Sequence, residues 1–357
     1  MPSRLPDEYA RGARHTRLGL LLWRVDSDLR LDLLTLTFDD LALEGRELEN
    51  SLQKHSPLDW SGYFDKEEDI TIKGSNNVFH IYEAGSEGPV VFCLHGGGYS
   101  GLSFALSASK IKEKARVVAM DQRGHGKSST DNDLDVSIET LCNDVVSVLK
   151  SIYGDSPPAI ILVGHSMGGS VAVHVAARKV IPNLHGLVVV DVVEGTAMTS
   201  LIHMQKILSN RTQFFPTLEK AIEWSVKSGS LRNVESACIS VPSTLKFDES
   251  KKCYTYKIAL EETESYWKGW SCMGNLEKIY PSPVPTPTLL TSTKRRDRSL
   301  RFKQMTSNED NVVVNHTVLG IEGCYFIEFA SLIVPFIVSN RIGAAGIVVS
   351  GGRRGWL

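Results

Sequence analysis

No two cysteines in this 357-residue chain are spaced as CxxC, and the six present (93, 142, 238, 253, 272 and 324) are scattered. That pattern suits reduced thiols in a cytosolic or nuclear compartment rather than a disulfide framework. Long apolar runs are also lacking. Leu18 to Trp23 is too short to cross a bilayer, and Arg24, Asp26 and Asp28 follow it directly, unlike the flanks of a signal peptide. Charge of one sign is missing too: a net charge of −2 argues against a general nucleic-acid or membrane-surface binder. There is no internal repeat, and no His/Cys/Asp cluster has metal-ligand spacing, so no metal is expected. What the chain does have is 42% hydrophobic residues, ample for one large core.

Those residues are patterned. Ile70 to Tyr82 alternates around a Gly-Ser-Asn-Asn turn and predicts a β-hairpin. Pro89 to Leu94 and Arg116 to Met120 read as buried strands, running into His95-Gly96-Gly97-Gly98 and Asp121-Gln122-Arg123-Gly124-His125-Gly126. A helix capped by Asp135 or Ser137 is predicted to reach Tyr153, with Ile138, Leu141, Val145, Val148 and Ile152 at helical spacing. Ala159 to Val163 is the next strand, Ser170 to Val180 the next helix, and Gly186 to Val190 the strand that ends at Asp191. This alternation implies an α/β fold: a mostly parallel sheet with helices on both faces.

From Met198 the texture changes. Helical patterns at Phe215 to Ser228 and Glu262 to Trp270, with no new strand evident, predict a helical cap inserted at about 199–281. Thr288 to Leu290 and Asn311 to Val314 read as late strands, and Phe329 to Ser339 as a closing helix. Residues 1–55 read as a variable or disordered extension in which Leu31 to Leu43 is a short helix or strand. Trp60, Tyr63 and Phe64 anchor the entry to a domain covering 56–342, and 343–357 is a loose glycine-rich tail.

Gly164-His165-Ser166-Met167-Gly168 lies between a predicted strand and a predicted helix. That is the context a nucleophile elbow requires: the glycines leave room where a Cβ would clash, and the serine hydroxyl is exposed at the helix N-terminus. A serine hydrolase further needs a base, a carboxylate to orient it, and donors for the oxyanion. The donors are expected at the backbone N–H groups of Met167 and Gly97, each typically worth about 3 kcal/mol of barrier lowering. Two carboxylates compete, Asp191 and Asp297. Both follow strands that end on the same rim, so topology does not choose. His95, His125 and His165 sit at motif positions but read as hydrogen-bonded structural histidines, and His174 as a packing residue.

From residue 57 to 342 the chain resembles the protein phosphatase methylesterases, a family of α/β-hydrolases. The resemblance rests on HGGG (95–98), DQRGHG (121–126), VGHSMGGSVAVH (163–174), DVVEGTAM (191–198), AIEWSVKSG (221–229) and DRSL (297–300). It implies a serine esterase that needs no cofactor. Its partner and substrate would be the type 2A protein phosphatase catalytic subunit, methylated on its C-terminal leucine. The resemblance matches Ser166 to the nucleophile and Asp191 to the acid. It departs at the base: where the family has His-Thr-Gly-His-Ala, this chain continues from His316 through Thr317 and Val318 to Leu319, so Leu319 fills the catalytic position and His316 is the imidazole left nearby. A cytoplasmic and nuclear location fits that reading. Two rivals remain, a catalytically impaired phosphatase binder and a small-molecule carboxylesterase. The region of Trp267 and Trp270 is read either as a wall of the pocket or as buried structural tryptophans.

Overall fold

The computed structural model describes residues 54–190, 204–206 and 208–271. It also describes the backbone of 20–25, 31–36, 288–291 and 312–314, and residues 333, 334 and 337. The chain divides into two compact units, Met1–Lys54 and His55–Leu357. In the first, β1 (Leu20–Val25) pairs antiparallel with β2 (Leu31–Leu36), so the leucine-rich start of the predicted 31–43 element is a strand.

The second unit is built on an eight-stranded sheet. Its strands are β3 (Lys66–Thr71), β4 (Val78–Ala84), β5 (Val90–Leu94), β6 (Arg116–Met120), β7 (Ile160–His165), β8 (Leu184–Val190), β12 (Thr288–Thr291) and β13 (Val312–Val314). The order across the sheet is β13-β12-β8-β7-β5-β6-β4-β3. β3–β4 is the expected hairpin and β4 meets β6 antiparallel, while the remaining neighbours run parallel. Two-residue periodicity decides which side chains go where. Phe92, Leu94, Val118, Met120, Leu162 and Val189 pack against α2 (Ile138–Tyr153) and α3 (Met167–Arg178). Val91, Cys93, Val117, Ala119, Val163 and Val188 pack on the other face against α1 (Ala105–Ile111), Ile333 and Ile337. Helices therefore cover both faces, which is why β5 and β7 are apolar at successive positions. Of the two proposed caps for α2, Ser137 is the one used: its hydroxyl accepts from the Thr140 N–H. At the entry, Asp59 caps a short turn at Trp60–Gly62, and Phe64 is buried with its ring 5.4 Å from that of Tyr82.

Between β8 and β12 lies the insert, where the structure corrects the sequence reading. Its helices are α4 (Leu218–Lys227), α5 (Val234–Ser240) and the single turn α6 (Glu264–Trp267). It also holds a three-stranded antiparallel sheet of β9 (Phe214–Phe215), β10 (Leu245–Asp248) and β11 (Cys253–Tyr256), where no strand was expected. Two to four residues give too little alternation to register as a strand. Pairing and the burial of Phe215 and Leu245 beneath α4 and α5 make them one. Trp267 and Trp270 are buried, and their indole N–H groups donate to Thr263 Oγ1 and to the Val136 carbonyl, each at 2.9 Å, so both are structural.

Candidate active site

Ser166 is placed by two elements that meet at it. β7 ends at His165 and α3 begins at Met167, three residues earlier than the sequence pattern suggested. Gly168 and Gly169 read as poor helix formers, but packing against β5 overrides propensity here. A Cβ on Gly168 would land on the carbonyls of Leu94 and His95, and one on Gly164 would strike the backbone of Gly168 and Gly169. With both flanks this tight, Ser166 takes the strain, at φ 50° and ψ −116°. Its N–H donates to the Val190 carbonyl at 2.9 Å, and its hydroxyl makes no capping bond to the helix it precedes. Strain concentrated on a single non-glycine residue is characteristic of functional positions.

The glycine run lies against this elbow. A Cβ on Gly96 would sit 3.3 Å from Ser166 Cβ, and one on Gly97 would sit 3.7 Å from Met167 Sδ. The expected donor residues, Gly97 and Met167, are therefore brought together beside the serine. Among the described residues neither backbone N–H is spent on another acceptor.

The loop after β6 holds this run in place. The Gln122 N–H donates to His95 Nε2 at 2.9 Å, while His95 Nδ1 faces the Gly96 carbonyl at 2.8 Å. His125 repeats the arrangement, accepting from the Gly98 N–H at 2.9 Å on Nε2 and facing the Arg123 carbonyl at 2.7 Å with Nδ1. Each ring thus accepts on one nitrogen and donates on the other, which only a neutral imidazole can do. Burial holds His125 down at about 4, and burial together with neighbouring His125 holds His95 well below its ordinary value. Both are structural, as the sequence reading expected despite their motif positions. Buried Asp121 accepts from the N–H groups of Gly101 at 2.7 Å and Lys127 at 2.8 Å, with burial pushing its carboxyl up against those bonds. Arg123 reaches Asp144 on α2 through two bonds of 2.8 Å.

The proposed acid and base, Asp191 and His316, lie outside the described residues, as do Asp297 and Leu319. Among the described residues no imidazole hydrogen-bonds the Ser166 hydroxyl. His174 Nδ1 instead faces the Ser170 carbonyl at 2.8 Å. No group of three His, Cys, Asp or Glu among the described residues is arranged to hold a metal, and none of the described helices is long and apolar enough to cross a membrane.

Sequence reasoning missed what reaches the glycine run from the insert. Leu260 carbons would lie 3.4 Å from a Cβ on Gly97 and 3.8 Å from one on Gly98, and Arg211 Nη1 would lie 4.0 Å from the latter. Sites so distant in sequence leave no local pattern. The one available hint was the third consecutive glycine, Gly98, at φ +80°.

Residues 90–320 match the family described as the alpha/beta hydrolase family. Solved structures agree on the fold: E-2-(acetamidomethylene)succinate hydrolase aligns with a TM-score of 0.61 at 16% identity, over 78% of this chain and 98% of its own. The thioesterase domain from the curacin biosynthetic pathway aligns with a TM-score of 0.56 at 21% identity, over 77% and 99%. Sequence similarity goes further. Protein phosphatase methylesterase 1 of Bos taurus is 40% identical over 296 residues, covering 70% of this chain and 77% of that protein. The Homo sapiens protein is 40% identical, with 70% and 76% covered. That of Schizosaccharomyces pombe is 32% identical over 315 residues, with 83% and 91% covered. On these matches, the chain belongs to the protein phosphatase methylesterase family of α/β-hydrolases.

Proposed function

We propose that the chain is a serine carboxylesterase that removes the methyl group from the C-terminal leucine ester of the type 2A protein phosphatase catalytic subunit. The observation that carries this reading is the strained Ser166 at the strand–helix junction, with unspent N–H groups of Gly97 and Met167 beside it. In the mechanism, Ser166 Oγ attacks the ester carbonyl while its proton passes to an imidazole, assigned to His316 and oriented by Asp191. The carbonyl oxygen becomes an oxyanion held by the two N–H groups. Collapse breaks the bond to the methoxy oxygen, which leaves as methanol with the proton from the imidazole. Water then attacks the acyl-enzyme, gives its proton to the same base, and frees the leucine carboxylate and Ser166.

The test is demethylation of a peptide ending in leucine methyl ester. Ser166→Ala is expected to remove activity by a factor on the order of 10⁴ or more, and His316→Ala by a comparable factor. Activity that survives His316→Ala would exclude that residue as the base. A second reading, a phosphatase-binding protein with weak or no turnover, is favoured by Leu319 at the family's base position. Leu319→His distinguishes the two readings: a gain of several orders of magnitude identifies the native chain as the binder, and no gain supports His316. Preference for simple aryl esters over the peptide ester would favour a small-molecule carboxylesterase.

A further inference from the structure

Arg211 stands out in the insert because its hydrogen-bonding capacity is largely unspent. Its guanidinium lies over the Tyr256 ring, with Cζ 3.8 Å from the centroid, so stacking fixes its plane. Nη2 meets Glu261 Oε1 at 3.2 Å, an oxygen that Gln213 Nε2 also approaches at 3.4 Å. Nε is buried with no acceptor, and among the described residues Nη1 has none either. Nη1 faces Gly98, at the far end of the glycine run from Ser166. An arginine held rigid by an aromatic face and a carboxylate, with donors left over beside an oxyanion loop, is short of an oxygen acceptor.

We propose that Arg211 is a specificity-determining residue that donates to a main-chain carbonyl of the substrate peptide, two or three residues before the scissile ester. Reach sets the position. Gly96 abuts Ser166, and the turn from Gly96 to Tyr99, closed by the Tyr99 N–H donating to the Gly96 carbonyl at 3.2 Å, is under about 7 Å across, while an extended peptide advances at most about 3.5 Å per residue. Charge sets the class of acceptor. Glu261 already compensates the guanidinium, so a neutral carbonyl completes the site without burying a second anion. This rests on the peptide-ester reading above and adds a subsite to it. It explains how an elbow common to many esterases would favour a chain terminus over a small ester.

The experiment uses the full chain with Ser166→Ala, which removes turnover, and measures calorimetric affinity for N-acetyl-leucine methyl ester and for a five-residue peptide ending in leucine methyl ester. Lengthening the peptide is expected to tighten binding, and Arg211→Gln to reduce that gain about tenfold or more. Arg211→Lys, which keeps charge but loses the stacked fork, is expected to recover only part of it. An alkene isostere deleting the carbonyl two or three residues upstream is expected to weaken binding with Arg211 present and to change little in Arg211→Gln, as a double-mutant cycle requires. Equal weakening of short and long peptides by Arg211→Gln, or an isostere penalty independent of Arg211, would overturn the proposal while leaving the peptide-ester reading in place. No binding of either peptide with Arg211 intact would overturn both.

Discussion

Two regions meet over Ser166, and they are held together by different means. The loops after β5 and β6 are tied by buried, directional polar groups: two neutral histidines, Asp121, and the paired Arg123 and Asp144. The insert relies on a modest apolar cluster with helix caps and ion pairs to solvent-accessible lysines, such as Glu223 with Lys220 and Lys227. A buried polar network fixes one geometry and tolerates no missing partner. Exposed pairs and caps are graded and forgiving. The base of the site is thus built to position, and its cover is built to vary.

The sharpest way to break this contrast is to remove one member of each ion pair. Asp144→Ala leaves the buried Arg123 uncompensated, and chemical denaturation should show a loss of about 3–5 kcal/mol. Acid should expose the next largest effect. Because His125 is held at about 4 against an ordinary 6.5, it stays neutral in the fold while the unfolded chain takes up the proton. Its stabilising contribution is therefore complete above pH 6.5 and is lost as the pH falls from there through 4, amounting to about 3 kcal/mol by pH 4. His95 adds to the loss in the same direction. Denaturation midpoints measured between pH 7 and 4 should fall with that slope, and His125→Gln should flatten it.

In the insert the effects shrink. Thr217 caps α4 by accepting from the Lys220 N–H at 3.3 Å, and Thr217→Ala should lower stability by about 1 kcal/mol. Glu223→Gln removes two pairs that hold its carboxyl down at about 2, but both lysines are solvent-accessible, so the loss should be roughly 0.5 kcal/mol and should shrink in high salt. Should Glu223→Gln prove as damaging as Asp144→Ala, the division into a rigid base and a forgiving cover fails.

Legibility in the sequence follows the same division. Strands buried on both faces, such as Val90–Leu94, and α2 with its Ser137 cap are written in contiguous runs and fixed spacings, so they could be read. So could Ser166, because the clash that demands Gly164 is with Gly168, four residues on, although the one that demands Gly168 is with the distant carbonyls of Leu94 and His95. The start of α3 was misplaced because Gly168 and Gly169 look like helix breakers out of context. The insert's strands are too short to show a period, and they exist because distant residues pair, as Phe215 does with Tyr254. Arg211 over Gly98 belongs to the same class: only the folded chain makes them neighbours.

One consequence follows from the sheet order. β8 and β12 are parallel and adjacent, so everything between them is a single crossover excursion from one rung of the ladder to the next. The entropy of closing such an excursion grows only with the logarithm of its length, about 0.6 kcal/mol per doubling. This segment can therefore be lengthened, shortened or rebuilt at small entropic cost while the strands that carry the serine keep their register.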